Sequence, residues 1–190
     1  STVSVNKSFF DFKFKTYVYI SSSDVYVNHS SSSFTFENQA QDLSKLSSYG
    51  FDIFLSEKIV ENHCKNYIIL RTSMLLGQNL KKGPIYDIIN KNPLFISRFS
   101  RLQMISTKEV ANVINFLVNE KITNEIFNAG GKGIVDFKKI QNYFSTPVSF
   151  VDKAETQTYE MNVSKLNRIF PLKSSEEYLR EFLDKLKLKN

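Results

Sequence analysis

The clearest hydrophobic pattern in the chain is a run of aromatic and β-branched residues that begins at Tyr17 and ends in the serines at 21–23. The run is too short for a buried helix and too uniformly apolar for a strand with one solvent-facing side. It therefore predicts a strand buried on both faces, as in the centre of a parallel sheet. Residues 67–77 predict the next buried strand and its exit loop. In open α/β sheets, ligands bind at the carboxyl ends of such strands.

Other segments have apolar positions at helical spacing. Residues 48–60 predict a helix that is apolar nearly all round at its start and amphipathic afterwards. A second helix is predicted from Thr107 as its cap, with a buried stripe of Val110, Ile114, Leu117 and Val118. A third follows the capping-box pattern at 174–177. Shorter predicted elements are a helix from Pro84, a β-like stretch at 95–105, a helix capped by Asp136 and an outer strand at 147–151.

Composition narrows the class of protein. At 190 residues and 42% hydrophobic, the chain is long enough for one domain with a sizeable core. Its single cysteine, Cys64, excludes an intramolecular disulfide and suits a reducing compartment. No apolar run approaches the ~18 residues that span a bilayer. We therefore expect a cytoplasmic location and no membrane partner.

The formal net charge of +6 invites the hypothesis of nucleic-acid binding. Lysines and arginines are spread along the chain, and the densest cluster, at 185–189, is equally well explained as a solvated helix end. No helix-turn-helix, ribonucleoprotein signature or zinc knuckle accompanies the charge, so nucleic acid is not the expected partner. The two histidines have no Cys or carboxylate at ligand spacing, and no metal site is predicted.

Two motifs carry a resemblance to a known family. The first strand ends in Ser-Ser-x-x-Val-Tyr, and the helix from residue 48 contains a Tyr-Gly pair followed by a Glu. The matching positions are Ser21, Ser22, Val25, Tyr26, Tyr49, Gly50 and Glu57. The chain thereby resembles the extended short-chain dehydrogenase/reductases, which are NAD(P)-dependent epimerases, dehydratases and reductases of sugar nucleotides. Leu70, Arg71 and Gly77 after the second strand add to the resemblance.

The resemblance implies an α/β fold, with a partial Rossmann-like parallel sheet, flanking helices and a small C-terminal α/β region of the substrate-binding type. We expect a single domain over 1–190, with a truncated Rossmann-like core at 16–77 and a mixed core and C-terminal substrate-type region at 78–190. The first three strands and helices of the usual nucleotide-binding half have no counterpart, through either a fragmentary gene product or loss of that half from the gene. Because such a loss exposes a strand edge or helix face, we predict a homo-oligomer.

The resemblance also implies roles for particular side chains. Tyr49 is the expected catalytic acid/base and Ser22 its orienting partner. The expected cofactor contacts are Ser21, Tyr49, Arg71, Thr72 and Ser73. The expected substrate contacts are Asp24, Met74 and Arg101. From the residues alone, Arg71 can equally be a structural ion-pair partner, and Arg101 a surface arginine.

Three positions depart from the family pattern. Val27 replaces a Gly, Ile53 replaces the Lys four residues after Tyr49, and Met74 replaces an Asn that contacts substrate. A phenol titrates near pH ~10, so without a nearby cation it is a poor base at neutral pH. The Gly-rich turn that holds the cofactor pyrophosphate is also missing near the start. The only dense glycines, at 130–133, follow a strand far downstream and are expected to form a turn.

Two functions are compatible with these features. The first is an NAD- or NADP-dependent sugar-nucleotide epimerase or reductase that is truncated or catalytically degenerate, with a nucleotide sugar as its partner. A dehydratase is disfavoured because the catalytic hydroxyl is followed by Ser23-Asp24 rather than Asp-Glu. The alternative is a non-catalytic binding, regulatory or oligomerisation subunit derived from that family. Because the cofactor carries the hydride chemistry, stand-alone activity is not expected.

Overall fold

Helices and strands are interspersed along the chain in a computed structural model, which describes residues 2–187. Ser1 and 188–190, the end of the basic cluster, lie outside the described residues. The helices are α1 (Thr2–Asp11), α2 (Ser48–His63), α3 (Pro84–Ile89), α4 (Thr107–Asn119), α5 (Ser164–Ile169) and α6 (Ser175–Lys187). The strands are β1 (Tyr17–Ser22), β2 (Tyr67–Thr72), β3 (Met74–Leu76), β4 (Arg101–Leu102), β5 (Met104–Ser106), β6 (Glu125–Ala129), β7 (Val135–Asp136) and β8 (Thr158–Tyr159). The predicted α/β fold class is confirmed.

A three-stranded parallel sheet in the order β1-β2-β6 holds the centre of the fold. Its register pairs Ser22 with Thr72 and Thr72 with Ala129, so the three strands end together at one edge. The first strand is parallel, as predicted. However, among residues 2–187 it lies at the side of the sheet, with no strand beyond it. Its Ile20 side chain is 41% exposed, which is unusual for a strand of such apolar composition.

Two apolar clusters flank this sheet. The larger one joins β2, β6, α3, α4 and α6 and includes Leu70, Ile105 and Leu179. The smaller one joins β1 to α1 and α2 and includes Val5 and Ile53. The helix α1 itself is a segment for which the sequence predicts no element.

The elements around α4 correct two predictions. Ser106, not Thr107, is the N-cap, because its hydroxyl accepts the backbone N–H of Glu109. Val113 is buried within the stripe, whereas Val118 is 43% exposed. The predicted capping box of α6 is confirmed: Ser174 Oγ accepts the Glu177 N–H, and the Glu177 carboxylate accepts the Ser174 N–H.

The C-terminal region adds two small sheets, β3-β5 and β7-β4-β8. Asp136 caps a 3₁₀ helix (Phe137–Tyr143) rather than an α-helix. The predicted outer strand at 147–151 is reduced to a single bridge between Leu94 and Phe150. Of the stretch 95–105, only β4 and the first two residues of β5 are strand.

Hydrogen bonds join the loop after β1 to the segment around β8. Thr35 Oγ1 donates to the Glu160 carbonyl and accepts the Asn162 N–H. The His29 ring stacks on Tyr159 with centroids 3.7 Å apart. These contacts fix Tyr159 above the carboxyl end of β1.

Candidate functional site

A cavity of about 1290 Å³ opens at the carboxyl ends of β1 and β2. It lies where ligands bind in open α/β sheets. Seven of the residues predicted for the site line it, namely Ser21, Ser22, Asp24, Tyr49, Thr72, Ser73 and Met74. The structure therefore brings Tyr49 and Ser22 to one cavity, as their positions at a helix start and a strand end led us to expect.

Two hydroxyls donate hydrogen bonds to the carboxylate of Asp24. Ser22 Oγ donates to one carboxylate oxygen at 2.7 Å, and the Tyr159 hydroxyl donates to the other at 3.2 Å. Burial, together with the charge of Asp24, raises the pKa of Tyr159 to about 12. Among residues 2–187, Asp24 supplies the only carboxylate that lines the cavity. Tyr159 was missed from the sequence, because nothing local marks a residue so far from β1.

The start of α2 lies against the turn that follows β1. A Cβ at Gly50 would approach the Asp24 carbonyl oxygen to 2.2 Å, so only glycine permits this contact. Ser47 caps the helix by accepting the Gly50 N–H. This packing places Tyr49, which is 59% exposed, at the cavity.

Ile53 lies one turn further along α2 and does not line the cavity. Its side chain is 7% exposed and belongs to the apolar cluster with Val5, Val25 and Val60. The position therefore provides neither a charge nor a hydrogen-bond donor near the Tyr49 phenol.

Arg71 does not line the cavity either. Its guanidinium forms a two-point ion pair with Glu57, with distances of 3.0 and 2.7 Å, and both side chains are almost wholly buried. It also donates to the Tyr26 hydroxyl and the Glu37 carbonyl. Although burial opposes the charge, Glu57 raises the pKa of Arg71 overall. This is the ion-pair role that the sequence left open.

Ser21 belongs to the same buried network, because its hydroxyl donates to Glu57. The Tyr26 hydroxyl in turn donates to Asn128 on β6. Burial is the main cause of the raised pKa of Tyr26. The network thus joins the ends of all three central strands and holds the floor of the cavity in place.

The cations at the cavity are lysines rather than the predicted arginine. Arg101 is exposed on β4 and does not line the cavity, whereas Lys81, Lys82 and Lys108 do. The first two lie in the loop before α3, and the third is the second residue of α4. Adjacent lysines before a Gly-Pro pair were the sequence signal that could have indicated them.

The glycines at 130–133 do not form a phosphate cradle. A Cβ at Gly130 would meet Gln103 at 2.6 Å, and one at Gly131 would meet the Ser175 backbone nitrogen at 2.5 Å. The space beside both glycines is therefore filled by protein. The segment leads into β7 rather than a helix. The described residues consequently do not fit the pyrophosphate end of a dinucleotide.

Solved structures of known proteins share this architecture. A UDP-galactose 4-epimerase superposes with a TM-score of 0.74 at 17% identity, over 98% of this chain and 67% of the enzyme. A UDP-glucuronic acid 4-epimerase from Bacillus cereus, in complex with NAD and a fluorinated UDP-sugar, gives 0.70 at 16%, over 93% and 62%. A UDP-N-acetylglucosamine 4-epimerase from Methanobrevibacter ruminantium gives 0.70 at 18%, over 99% and 69%.

The chain has the fold of the UDP-sugar 4-epimerases. The resemblance to the extended short-chain dehydrogenase/reductases is thereby confirmed at the level of the fold. It includes α1, so it begins earlier in the chain than the motifs from Tyr17 onwards indicated. The chain spans about two thirds of the length of these epimerases. No protein-family model matches the sequence, and no curated protein matches it.

Within residues 2–187, no helix combines the length and the apolar character needed to cross a membrane. The same residues contain no group of three or more His, Cys, Asp or Glu side chains arranged to hold a metal ion.

Proposed function

We propose that this protein binds a nucleotide sugar in the cavity at the ends of β1 and β2. It is a sugar-nucleotide epimerase- or reductase-like protein, truncated or catalytically degenerate, that does not turn over substrate by itself. The observation that carries the proposal is the lining of the cavity, which combines serine and threonine hydroxyls with three lysines and one carboxylate. The fold shared with UDP-sugar epimerases supports the same substrate class.

The charges favour a diphosphate. Lys81, Lys82 and Lys108 are exposed at the cavity and face only one carboxylate there among the described residues. Lysine ammonium groups bind phosphate oxygens as point charges, and a cleft of one sign concentrates ligands of the other. The hydroxyl-bearing strand ends supply the polar groups that fix a sugar. The volume exceeds the ~300–1,000 Å³ typical of small-molecule pockets, which suits an extended ligand.

Tyr49 is the proposed acid/base residue and Ser22 the residue that orients the substrate oxygen. Ser22 already donates its proton to Asp24, so its oxygen remains able to accept a hydrogen bond from a sugar hydroxyl. Proton transfer by a positioned side chain contributes about 10²–10⁴-fold to a rate. Because Ile53 supplies no cation beside the Tyr49 phenol, we propose that the chain gains little of this acceleration.

Calorimetry with UDP and UDP-glucose tests the proposal. We expect a Kd tighter than about 100 μM, roughly 5–6 kcal/mol. The double variant Lys81→Gln/Lys82→Gln should weaken both ligands about tenfold, since it removes two charges from the cavity. The matched control is Lys138→Gln/Lys139→Gln, a second pair of adjacent exposed lysines outside the cavity, which should bind as the wild type does. Absence of binding by the wild type overturns the proposal.

NAD or NADP is the proposed cofactor class by analogy with the epimerases, but residues 2–187 do not fit its pyrophosphate. We therefore expect no NAD or NADP binding tighter than about 1 mM, roughly 4 kcal/mol, by the chain alone. Titration with each dinucleotide, in the presence and absence of UDP-glucose, measures this. Tight binding would show that a cofactor site is formed in some other way, for example across a subunit interface.

The alternative function is a non-catalytic binding, regulatory or oligomerisation subunit, and the side of β1 favours it. Among residues 2–187 no strand pairs with the outer edge of β1, and such an apolar edge is a template for pairing with another chain. We accordingly propose a homo-oligomer. Sedimentation velocity over a range of concentrations measures the assembly, and a monodisperse monomer at high concentration would count against it.

A further inference from the structure

The hydroxyl of Ser73 is the unexplained polar group of the cavity. Ser73 follows β2, lines the cavity and is 6% exposed. Its backbone N–H donates to the Ala129 carbonyl, which fixes the position of the residue. Its side-chain oxygen is buried and has no hydrogen-bond partner among residues 2–187.

The neighbouring hydroxyls show that this is exceptional. Ser21 donates to Glu57, Ser22 to Asp24 and Thr72 to the Ser21 carbonyl. Each of them has therefore used its only proton within the protein. A buried hydroxyl without a partner lowers the stability of a protein, and such groups in native structures call for an explanation.

We propose that the Ser73 hydroxyl contacts a ring hydroxyl of the bound sugar. Rotation about χ1 moves a serine oxygen among three staggered positions, so a group at the floor of the cavity can meet it without backbone movement. The next residue, Met74, lines the same cavity with an apolar side chain. Ser73 thus supplies a polar contact where Met74 cannot. This inference rests on the nucleotide-sugar binding proposed above.

The sugar is a better occupant than the nicotinamide end of a dinucleotide. The described residues offer lysines for the diphosphate of a nucleotide sugar but no pyrophosphate cradle for a dinucleotide. A ring hydroxyl both donates and accepts, so it can satisfy the serine in either direction.

The test is Ser73→Ala, measured in two ways. Without ligand, the variant should melt at the same temperature as the wild type or higher, because it removes an unpaired buried hydroxyl. Its affinity for UDP should stay within about twofold, whereas its affinity for UDP-glucose should fall about 5- to 30-fold. Ser73→Cys, which keeps the shape of the side chain with a slightly larger atom that hydrogen-bonds weakly, should show the same selective loss.

Thr72→Val is the matched control for stability. It removes the adjacent hydroxyl, which donates to Ser21 at 2.9 Å, and should lower the melting temperature. A lower melting temperature in Ser73→Ala as well would show that Ser73 is a structural group and would overturn the inference.

The binding outcomes separate this inference from the proposed function. If the wild type binds neither UDP nor UDP-glucose, the proposed function fails and the inference fails with it. If the wild type binds UDP-glucose and the Ser73 variants bind it equally well, only the inference fails. An NAD affinity that is measurable in the wild type and lost in Ser73→Ala, with unchanged UDP-glucose affinity, would overturn the assignment of the contact to the sugar.

Discussion

Ile53 packs in the smaller apolar cluster and does not line the cavity. In the resembled family this helix position carries a lysine, which in that family lowers the pKa of the tyrosine. Here the side chain packs with Val5 of α1 and Val25 after β1. The side chain is thus enclosed by residues of α1 and of the turn after β1. A charged side chain at this position would lose its hydration among these apolar groups.

Ile53→Lys should consequently destabilise the protein without creating an enzyme. We expect a loss of more than about 2 kcal/mol in the free energy of unfolding, because a charge is placed in an apolar cluster. We expect no NADH-dependent turnover from this variant, since the substitution adds no group that fits the pyrophosphate to residues 2–187. Urea unfolding and an NADH assay measure the two effects. The control Ile53→Met conserves volume and should cost less than about 1.5 kcal/mol in the free energy of unfolding. Measurable turnover in the lysine variant would show that the chain does hold a cofactor.

The pair of Glu57 and Arg71 gives a second prediction for single residues. Glu57→Gln leaves the buried guanidinium without its counter-charge and should lower the free energy of unfolding by about 3–5 kcal/mol. The control is Glu61→Gln, which breaks the partly exposed pair with Lys58 on the same helix and should cost at most about 1 kcal/mol. Urea unfolding compares the two variants. Equal midpoints would mean that the buried pair contributes no more than an exposed one.

At the scale of elements, the sequence predicts long periodic segments well and short pairings poorly. The helices α2, α4 and α6 and the strands β1 and β2 each contain a clear apolar pattern, and all five are found. The strands β4, β7 and β8 have two residues each and carry no periodicity, so their pairing is decided by distant backbone. The sequence predicts no helix over the segment that forms α1.

In the candidate site, too, residues close in sequence are predicted well and contacts between distant residues are not. Ser22, Asp24 and Tyr49 come from two motifs close in sequence, and the structure brings them to one cavity. Tyr159 reaches Asp24 across 135 positions, which no local pattern encodes. For Arg71, the local sequence is the same whether the side chain binds a ligand or Glu57. Only the packing of α2 against β2 decides between these roles.

The glycines after β6 provide a test of element packing. Gly131→Ala should cost about 3 kcal/mol, because its Cβ would meet backbone atoms of Ser175 and Met104 at 2.5 and 2.6 Å, and backbone cannot move aside easily. The control Gly133→Ala has open space around its Cβ but a φ of +65°, so strain alone should cost about 1–2 kcal/mol. Chemical denaturation measures both. If Gly133→Ala is the more damaging, close packing is not the reason for these glycines.

At the scale of the whole molecule, buried tyrosines link stability to alkaline pH. Burial raises the pKa values of Tyr26, Tyr159 and Tyr178 above the usual value of about 10, and that of Tyr159 reaches about 12. The folded state therefore holds these phenol protons more tightly than the unfolded state does. Their contribution to stability is complete below pH ~10 and is lost as the pH rises through the folded pKa values.

We thus expect the free energy of unfolding to be insensitive to these tyrosines from pH 8 to about 10 and to fall from pH 10 towards 12. Urea titrations at several pH values measure the fall, and the ultraviolet absorbance of phenolate reports deprotonation directly. Tyr159→Phe should make the fall shallower, because it removes one of the linked groups. A stability that rises above pH 10 would contradict the pKa shifts.

The hydrogen bonds between the loop after β1 and the segment around β8 affect when the cavity can form. Thr35 bonds to Glu160 and Asn162 across 125 and 127 positions, and the His29 ring nitrogen lies 2.7 Å from the Thr158 carbonyl oxygen across 129. Closing loops of this length is slow, because chain entropy is lost before the contacts form. One wall of the cavity can therefore form only after residues 158–162 have been synthesised. A nascent chain that ends before β8 carries Tyr49 and Ser22 but lacks Tyr159, which completes the cavity wall above Asp24.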